Sequence, residues 1–376
     1  MESTLRGPRY LAAQITAERI YPRFGEMQHK GETPPTIDEM ERLIDAAFWA
    51  SLRREESYSP QISLAFLPRQ HAGESLTLEH SLGLTPEALA RLAPAAERPG
   101  IHLGVWRDGE EGDLRVWGAT RAIPAFCFVL EVIAPGLLVV KYRHADATAK
   151  FVNVAVLEGD AVKVLDPSAS SVPGCPNLVS ALLGFDSRGP SQTSNPLVEL
   201  AVSMRSHKRG GTLLVVPAES EAWRESIRHP ITYSVSPKFA RLADLMAEPP
   251  AVHHERRWQD SFHRTVEAIA GLTAVDGATM ITDRYEVLAF GAKIQRREGS
   301  ASVENVILSE PVEGFKPHVL PALQTGGTRH LSAAQFAHDQ QDSMAMVASQ
   351  DGRFTIFAWS DCDSMVRAHR VETLLM

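Results

Sequence analysis

Two short clusters near the end of the chain combine residue types that bind phosphate and ribose. The richer one is Gly326-Gly327-Thr328-Arg329-His330, followed by a stretch of helical character. Paired glycines let the backbone approach a ligand closely and adopt dihedrals closed to other residues. Thr328 offers a hydroxyl, Arg329 a planar fork of donors matching phosphate oxygens, and His330 a further donor. A helix beginning here would add free backbone amides aimed at an anion. The same residues also suit a plain turn with a solvated Arg-His, a dipeptide that recurs at Arg143-His144 and Arg228-His229. The second cluster, Val275-Asp276-Gly277-Ala278, sets one carboxylate beside a glycine and a small residue. A carboxylate there can hold a metal ion or orient a ribose hydroxyl. An ordinary Asp-Gly turn is the alternative.

Both clusters need rigid elements behind them, and the surrounding pattern provides these. Asn195-Pro196 opens a helix with Leu197, Leu200, Ala201 and Met204 on one face. Arg209-Gly210-Gly211 ends it and leads into Thr212 to Val216, a continuous apolar run typical of a central strand. Further helices are expected near Pro237 to Met246 and from Trp258 to Ala270, the latter burying Trp258, Phe262, Val266 and Ile269. Strands flank Asp283-Arg284, and another at Ala345 to Ala348 has its partner at Phe354 to Ala358. Helices alternating with strands predict a mixed α/β domain over residues 195-376. The polar run Asp186 to Ser194, rich in Gly, Pro and Ser, marks a boundary in front of it.

Upstream, residues 1-95 read as a mainly helical region. Thr36 and Glu39 have capping-box spacing after Pro34-Pro35, and Ile37, Met40, Ile44, Ala47, Phe48 and Leu52 form a helical stripe. A second helix starts at Thr85-Pro86 and buries Leu89 and Leu92. Residues 96-185 change to strands: Leu114 to Trp117, Phe126 to Ile133, Leu137 to Tyr142, Phe151 to Leu157 and Val162 to Leu165. Pro135-Gly136 and Gly159-Asp160 supply tight turns, so this region is an antiparallel meander. His144 and Asp146 fall in one of its loops and form no catalytic constellation.

In their order and spacing, the motifs of the last domain resemble diadenylate cyclases of the DisA N-terminal type. Gly211-Thr212-Leu213-Leu214-Val215-Val216 is similar to that family's GALIVI-like strand, and Asp276-Gly277-Ala278 to its D-G-A. Gly327-Thr328-Arg329-His330 matches all but the last position of its G-T-R-H-R, and Ser349-Gln350-Asp351-Gly352 is similar to the segment that follows. The resemblance implies a mixed sheet flanked by helices, with a nucleotide held by Asp276, Gly277, Ala278, Gly327, Thr328, Arg329 and His330. It also implies Mg²⁺ or Mn²⁺ at Asp276 and a homodimer or higher homo-oligomer joining two ATP into cyclic di-AMP, with Asp276 as catalytic residue. The chain is similar as well to DACNV, a divergent branch proposed to be a sensor domain. That likeness extends over nearly the whole length, including Ala50-Ser51-Leu52-Arg53-Arg54-Glu55-Glu56 and the meander around Phe126 to Val140.

Departures from the cyclase pattern shape the expected function. Leu331 replaces the second arginine, Val275 stands where a histidine is usual, and Gln350 replaces an acid. Asp339 is a candidate for the missing carboxylate. A pocket that binds a nucleotide but catalyses poorly fits these losses, so the leading expectation is a nucleotide sensor for ATP or a cyclic dinucleotide. An active diadenylate cyclase and a ligand-free interaction scaffold are the alternatives.

Composition narrows the rest. Among 376 residues, 44% are hydrophobic and 22% charged, a soluble globular balance that suggests more than one domain. A net charge of −8 argues against a nucleic-acid polymer as partner. No signal peptide or membrane-spanning run is read, and Cys127, Cys175 and Cys362 are odd in number and widely spaced, so a reducing cytoplasm is expected. His253-His254-Glu255 with His263 lacks zinc-protease spacing, and Arg209-Gly210-Gly211-Thr212 lacks the P-loop lysine.

Overall fold

Residues 9–28, 33–54, 58–108, 112–143, 151–166 and 195–376 are described by a computed structural model. The expected boundary at Asp186 to Ser194, the loop residues His144 and Asp146, Glu55-Glu56 and Cys175 lie outside the described residues. The chain divides into two units between Leu165 and Asp166.

In the first unit all eight described strands form one sheet, and the helices pack with it around one main core. Its helices are α1 (Leu11–Gln28), α2 (Ile37–Ser51) and α3 (Pro86–Ala96). Its strands are β1 (Ile62–Phe66), β2 (Ser75–Gly83), β3 (His102–Asp108), β4 (Asp113–Thr120), β5 (Phe128–Ala134), β6 (Leu137–Arg143), β7 (Phe151–Glu158) and β8 (Ala161–Val164). They lie in the order β2-β4-β3-β1-β5-β6-β7-β8. Strands β5 to β8 form an antiparallel meander as expected, but β4, expected as its first strand, is separated from β5 by β3 and β1, and β1 runs parallel to β3. At the start of α2 the Thr36 hydroxyl accepts from the Glu39 amide at 3.3 Å, and Glu39 accepts from the Thr36 amide at 2.7 Å. Glu39 also receives a two-pronged bond from Arg107 at 2.6 and 2.8 Å, tying α2 to β3. Ala13, Ala17, Ile20 and Phe24 give α1 a buried stripe against the same core.

The second unit holds α4 (Pro196–Ser206), α5 (Arg241–Ala247), α6 (Arg256–Leu272) and α7 (Thr328–Asp339). Its strands are β9 (Gly211–Val216), β10 (Tyr233–Phe239), β11 (Ala278–Thr282), β12 (Val287–Ala292), β13 (Asn305–Ser309), β14 (His318–Pro321), β15 (Met344–Ala348), β16 (Phe354–Ser360) and β17 (Met365–Arg370). The sheet order is β10-β12-β11-β9-β15-β16-β17-β13-β14, with β9 parallel to β11 and β13 parallel to β17. This is the mixed α/β architecture expected from the sequence. Central β9 is buried at every position, and the two-residue period of a strand divides it between two cores. Leu213 and Val215 pack with Leu200, Leu242 and Phe262 of α4, α5 and α6. Leu214 and Val216 pack with Phe336 of α7 on the other face.

The helix expected near Pro237 to Met246 begins only at Arg241. Tyr233–Phe239 is instead an edge strand paired to β12 alone, where Pro237 can sit without leaving a ladder bond unmade.

Candidate functional site

The two sequence clusters, more than forty residues apart, line one cavity of about 450 Å³, a size usual for small-molecule sites. The cavity forms where β9 and β11 begin and where β12 and β15 end. Strand pairing brings them together: Ala278 of β11 lies beside Thr212 of β9, which lies beside Val347 of β15. All seven expected site residues are in the lining: Asp276, Gly277, Ala278, Gly327, Thr328, Arg329 and His330.

Gly277 is required by the packing of the floor. Its φ is +122°, and a Cβ there would fall 2.5 Å from the carbonyl carbon of Gly291. Two backbones therefore meet at a distance that only glycine permits. Gly326 and Gly327 have different reasons. A Cβ on Gly326 would fall 2.5 Å from Nδ1 of His330, so that glycine makes room for the imidazole. Gly327 faces open space and is the N-cap of α7, with no side chain capping the helix. The amides of Thr328 and Arg329 donate to no backbone carbonyl among the described residues, so the uncapped helix start opens toward the cavity.

The charges in the lining are few. The Asp276 side chain is 92% exposed and sits 2.7 Å from Nζ of Lys293, which also donates to the Asp276 carbonyl at 3.2 Å. The Lys293 ammonium, by hydrogen bond and by charge, holds the Asp276 carboxyl below the usual carboxylate range, and Arg329 adds to this. Arg329 is exposed, makes no salt bridge among the described residues, and is backed by Gly210, where a Cβ would lie 3.0 Å from its Nη1. His330, expected as a further donor to phosphate, lines the cavity but is almost wholly buried. The residue is only 4% exposed, and burial, the largest influence, pushes its pKa down and favours the neutral ring. Its Nε2 has no partner among the described residues.

Lys293 is the site residue that the sequence reading missed. It follows directly on the apolar strand β12, so the available signal was a cation at the exit of a buried strand. Leu331 is half-buried against the α7-side core and does not line the cavity. Val275 and Gln350 are also outside the lining.

Asp339 does not supply a missing carboxylate to the cavity. It is buried and accepts from the Arg297 amide at 2.8 Å, the Ser300 hydroxyl at 2.5 Å and the Gln335 amide at 2.8 Å, holding the loop that follows β12. His253 is likewise structural, stacked on Trp258 at 4.1 Å and bonded to the Glu248 carbonyl.

The donor set fits a divalent cation poorly. Asp276 is the single carboxylate in the lining, it is already paired with an ammonium, and among the described residues no group of three or more His, Cys, Asp or Glu is placed to hold a metal ion.

Residues 29–121 match the family model of the probable sensor domain DACNV. This stretch lies within the first unit and ends ahead of β5, so it contains Ala50 to Arg54 and stops short of the meander around Phe126 to Val140. Two solved structures are similar at low identity. A hypothetical membrane-spanning protein from Bacillus cereus is 12% identical, with 51% of this chain and 68% of that one covered and a TM-score of 0.27. A double mutant of DacA from Staphylococcus aureus is 11% identical, with 46% and 83% covered and a TM-score of 0.24. No curated protein matches the chain. No helix among the described residues is long and apolar enough to cross a membrane.

Proposed function

We propose that the second unit binds a nucleotide, ATP or a cyclic dinucleotide, and that the chain reports its occupancy as a sensor. The observation that carries this reading is the convergence of both clusters on one cavity, with Arg329, Lys293 and an uncapped helix start presenting donors to the same space. Within it, Asp276 would accept from a ribose hydroxyl, and Thr328 and Arg329 would hold phosphate oxygens. His330, neutral and buried, would support the Gly326-Gly327 turn. The match of residues 29–121 to a probable sensor domain supports signalling in preference to turnover. The meagre donor set for a divalent cation speaks the same way, since nucleotidyl transfer from ATP relies on metal to offset phosphate charge.

Titration calorimetry with ATP and with cyclic di-AMP tests the reading. Binding of either one, weakened about tenfold or more in Arg329→Ala, is the expected result. Affinity unchanged in that variant means the pocket is wrongly assigned. A chromatographic assay with ATP and Mn²⁺ is the companion experiment: cyclic di-AMP that disappears in Asp276→Asn would make the chain an enzyme and sink the sensor reading.

A further inference from the structure

The one carboxylate of the cavity is already neutralised from within the chain, and this bears on which form of ligand the site takes. Nζ of Lys293 lies 2.7 Å from Oδ2 of Asp276 and 3.2 Å from the carbonyl oxygen of the same residue. An ammonium has three donors. Two are spent on Asp276, which fixes the direction of the third, while half of the Lys293 side chain remains solvent-accessible and the residue lines the cavity. A divalent cation on the same carboxylate oxygen, at its usual distance of about 2.1 Å, would sit within about 5 Å of that ammonium. Like charges so close repel, and no second carboxylate in the lining offsets the repulsion.

We infer that Lys293 occupies the place of a metal ion at Asp276, so that the cavity binds a phosphate-bearing nucleotide without a divalent cation. This rests on the nucleotide-binding reading above and deepens it by naming the form of ligand. The cations facing the ligand are then Lys293 and Arg329, and the anion is Asp276. That small positive surplus suits phosphates of low charge, a monophosphate or the phosphodiesters of a cyclic dinucleotide. It leaves most of the charge of a free triphosphate uncompensated. Lys293 bridges the Asp276 carboxylate to a phosphate oxygen, as a bound metal would. Unlike a metal it presents no open coordination positions and no Lewis acidity.

Calorimetry on the full chain with AMP, cyclic di-AMP and ATP, each in EDTA and in excess Mg²⁺, tests the inference. AMP or cyclic di-AMP should bind equally in both buffers, within about twofold, and tighter than ATP. Lys293→Ala should lose about tenfold to a hundredfold in EDTA. Lys293→Arg, which keeps the charge, should recover part of the loss. The exposure of Lys293 makes these variants safe to fold, and matching melting curves would confirm it. In a second measurement needing no nucleotide, the paramagnetic resonance signal of free Mn²⁺ should be unchanged by wild-type protein. Nucleotide binding that requires Mg²⁺, or that survives Lys293→Ala unaltered in EDTA, would overturn this inference while leaving the nucleotide-binding reading intact. Absence of binding in both buffers would overturn that reading, and this inference with it.

Discussion

Acidification should destabilise this protein through its buried histidines, most strongly through His369 in the second unit and His102 in the first. His369 on β17 is 4% exposed, with Nδ1 2.8 Å from the Ser309 hydroxyl and Nε2 unpartnered among the described residues. Burial, reinforced by the charge of Arg367, lowers its pKa from 6.5 to about 4. His102 on β3 is 2% exposed, 2.7 Å from the Ser63 hydroxyl, and is also lowered to about 4, by burial first; Glu131 opposes the shift and Lys141 adds to it. In both cases the folded state favours the neutral ring, so the unfolded chain takes up the proton first as pH falls. Their contribution is therefore complete above about pH 6.5, drains away between 6.5 and 4, and falls no further below that. Linkage over this window gives about 2 kcal/mol lost per histidine between pH 7 and pH 5, approaching about 3 kcal/mol below pH 4.

Urea titrations at pH 7, 6 and 5, with hydrogen exchange followed peptide by peptide to separate the two units, would measure these losses. The informative variant is His369→Asn. Its side-chain oxygen can still face Ser309, but it cannot protonate. It lowers stability at pH 7 yet should flatten the pH dependence of the second unit by about 2 kcal/mol and leave the first unit's slope alone. An unchanged slope in the second unit, or an imidazole of His369 titrating near 6.5 by NMR, would refute the reasoning.

Two further outcomes follow from the cavity's construction. Gly277→Ala should cost about 2–4 kcal/mol in a thermal melt with or without ligand, because its Cβ would fall 2.5 Å from the Gly291 backbone at a φ of +122°. Leu331→Arg should lower stability by about 1–3 kcal/mol, since Leu331 packs on the α7-side core. By the sensor reading, chromatography of that variant with ATP and Mn²⁺ should still show no cyclic dinucleotide.

The parts legible in the sequence were those governed by local pattern. The α2 capping box, the apolar run of β9 and the buried stripe of α6 each declare themselves within a few residues, and the structure has all three. The two glycine-bearing clusters were legible for the same reason, and the structure places them in one cavity. What escaped depends on distant partners or on interrupted patterns. Helix α1 hides because Pro22 and Gly25 break a sequence whose burial at Ala13, Ala17, Ile20 and Phe24 is regular. Edge strands β2, β10 and β14 are mostly exposed, so even the alternation of Leu76, Leu78 and Leu82 with polar residues in β2 marks no buried face. The parallel pairing of β1 with β3 is a choice made across some forty residues. Lys293 escaped because a lysine at a strand exit matters only once the fold brings Asp276 to it.

The glycines around the cavity constrain how this surface can evolve. Gly277 is pinned by Gly291, Gly211 by Thr273, whose hydroxyl would lie 2.6 Å from an added Cβ, and Gly326 by the His330 ring. Each is demanded by the sheet or the turn itself, whatever the cavity holds. Selection for folding alone would preserve them, so a descendant that abandoned its ligand would keep this glycine framework long after Lys293 and Arg329 had drifted. The persistence of the ligand would then have to be read from the exposed cations, where mutation is cheap for the fold and costly only for binding.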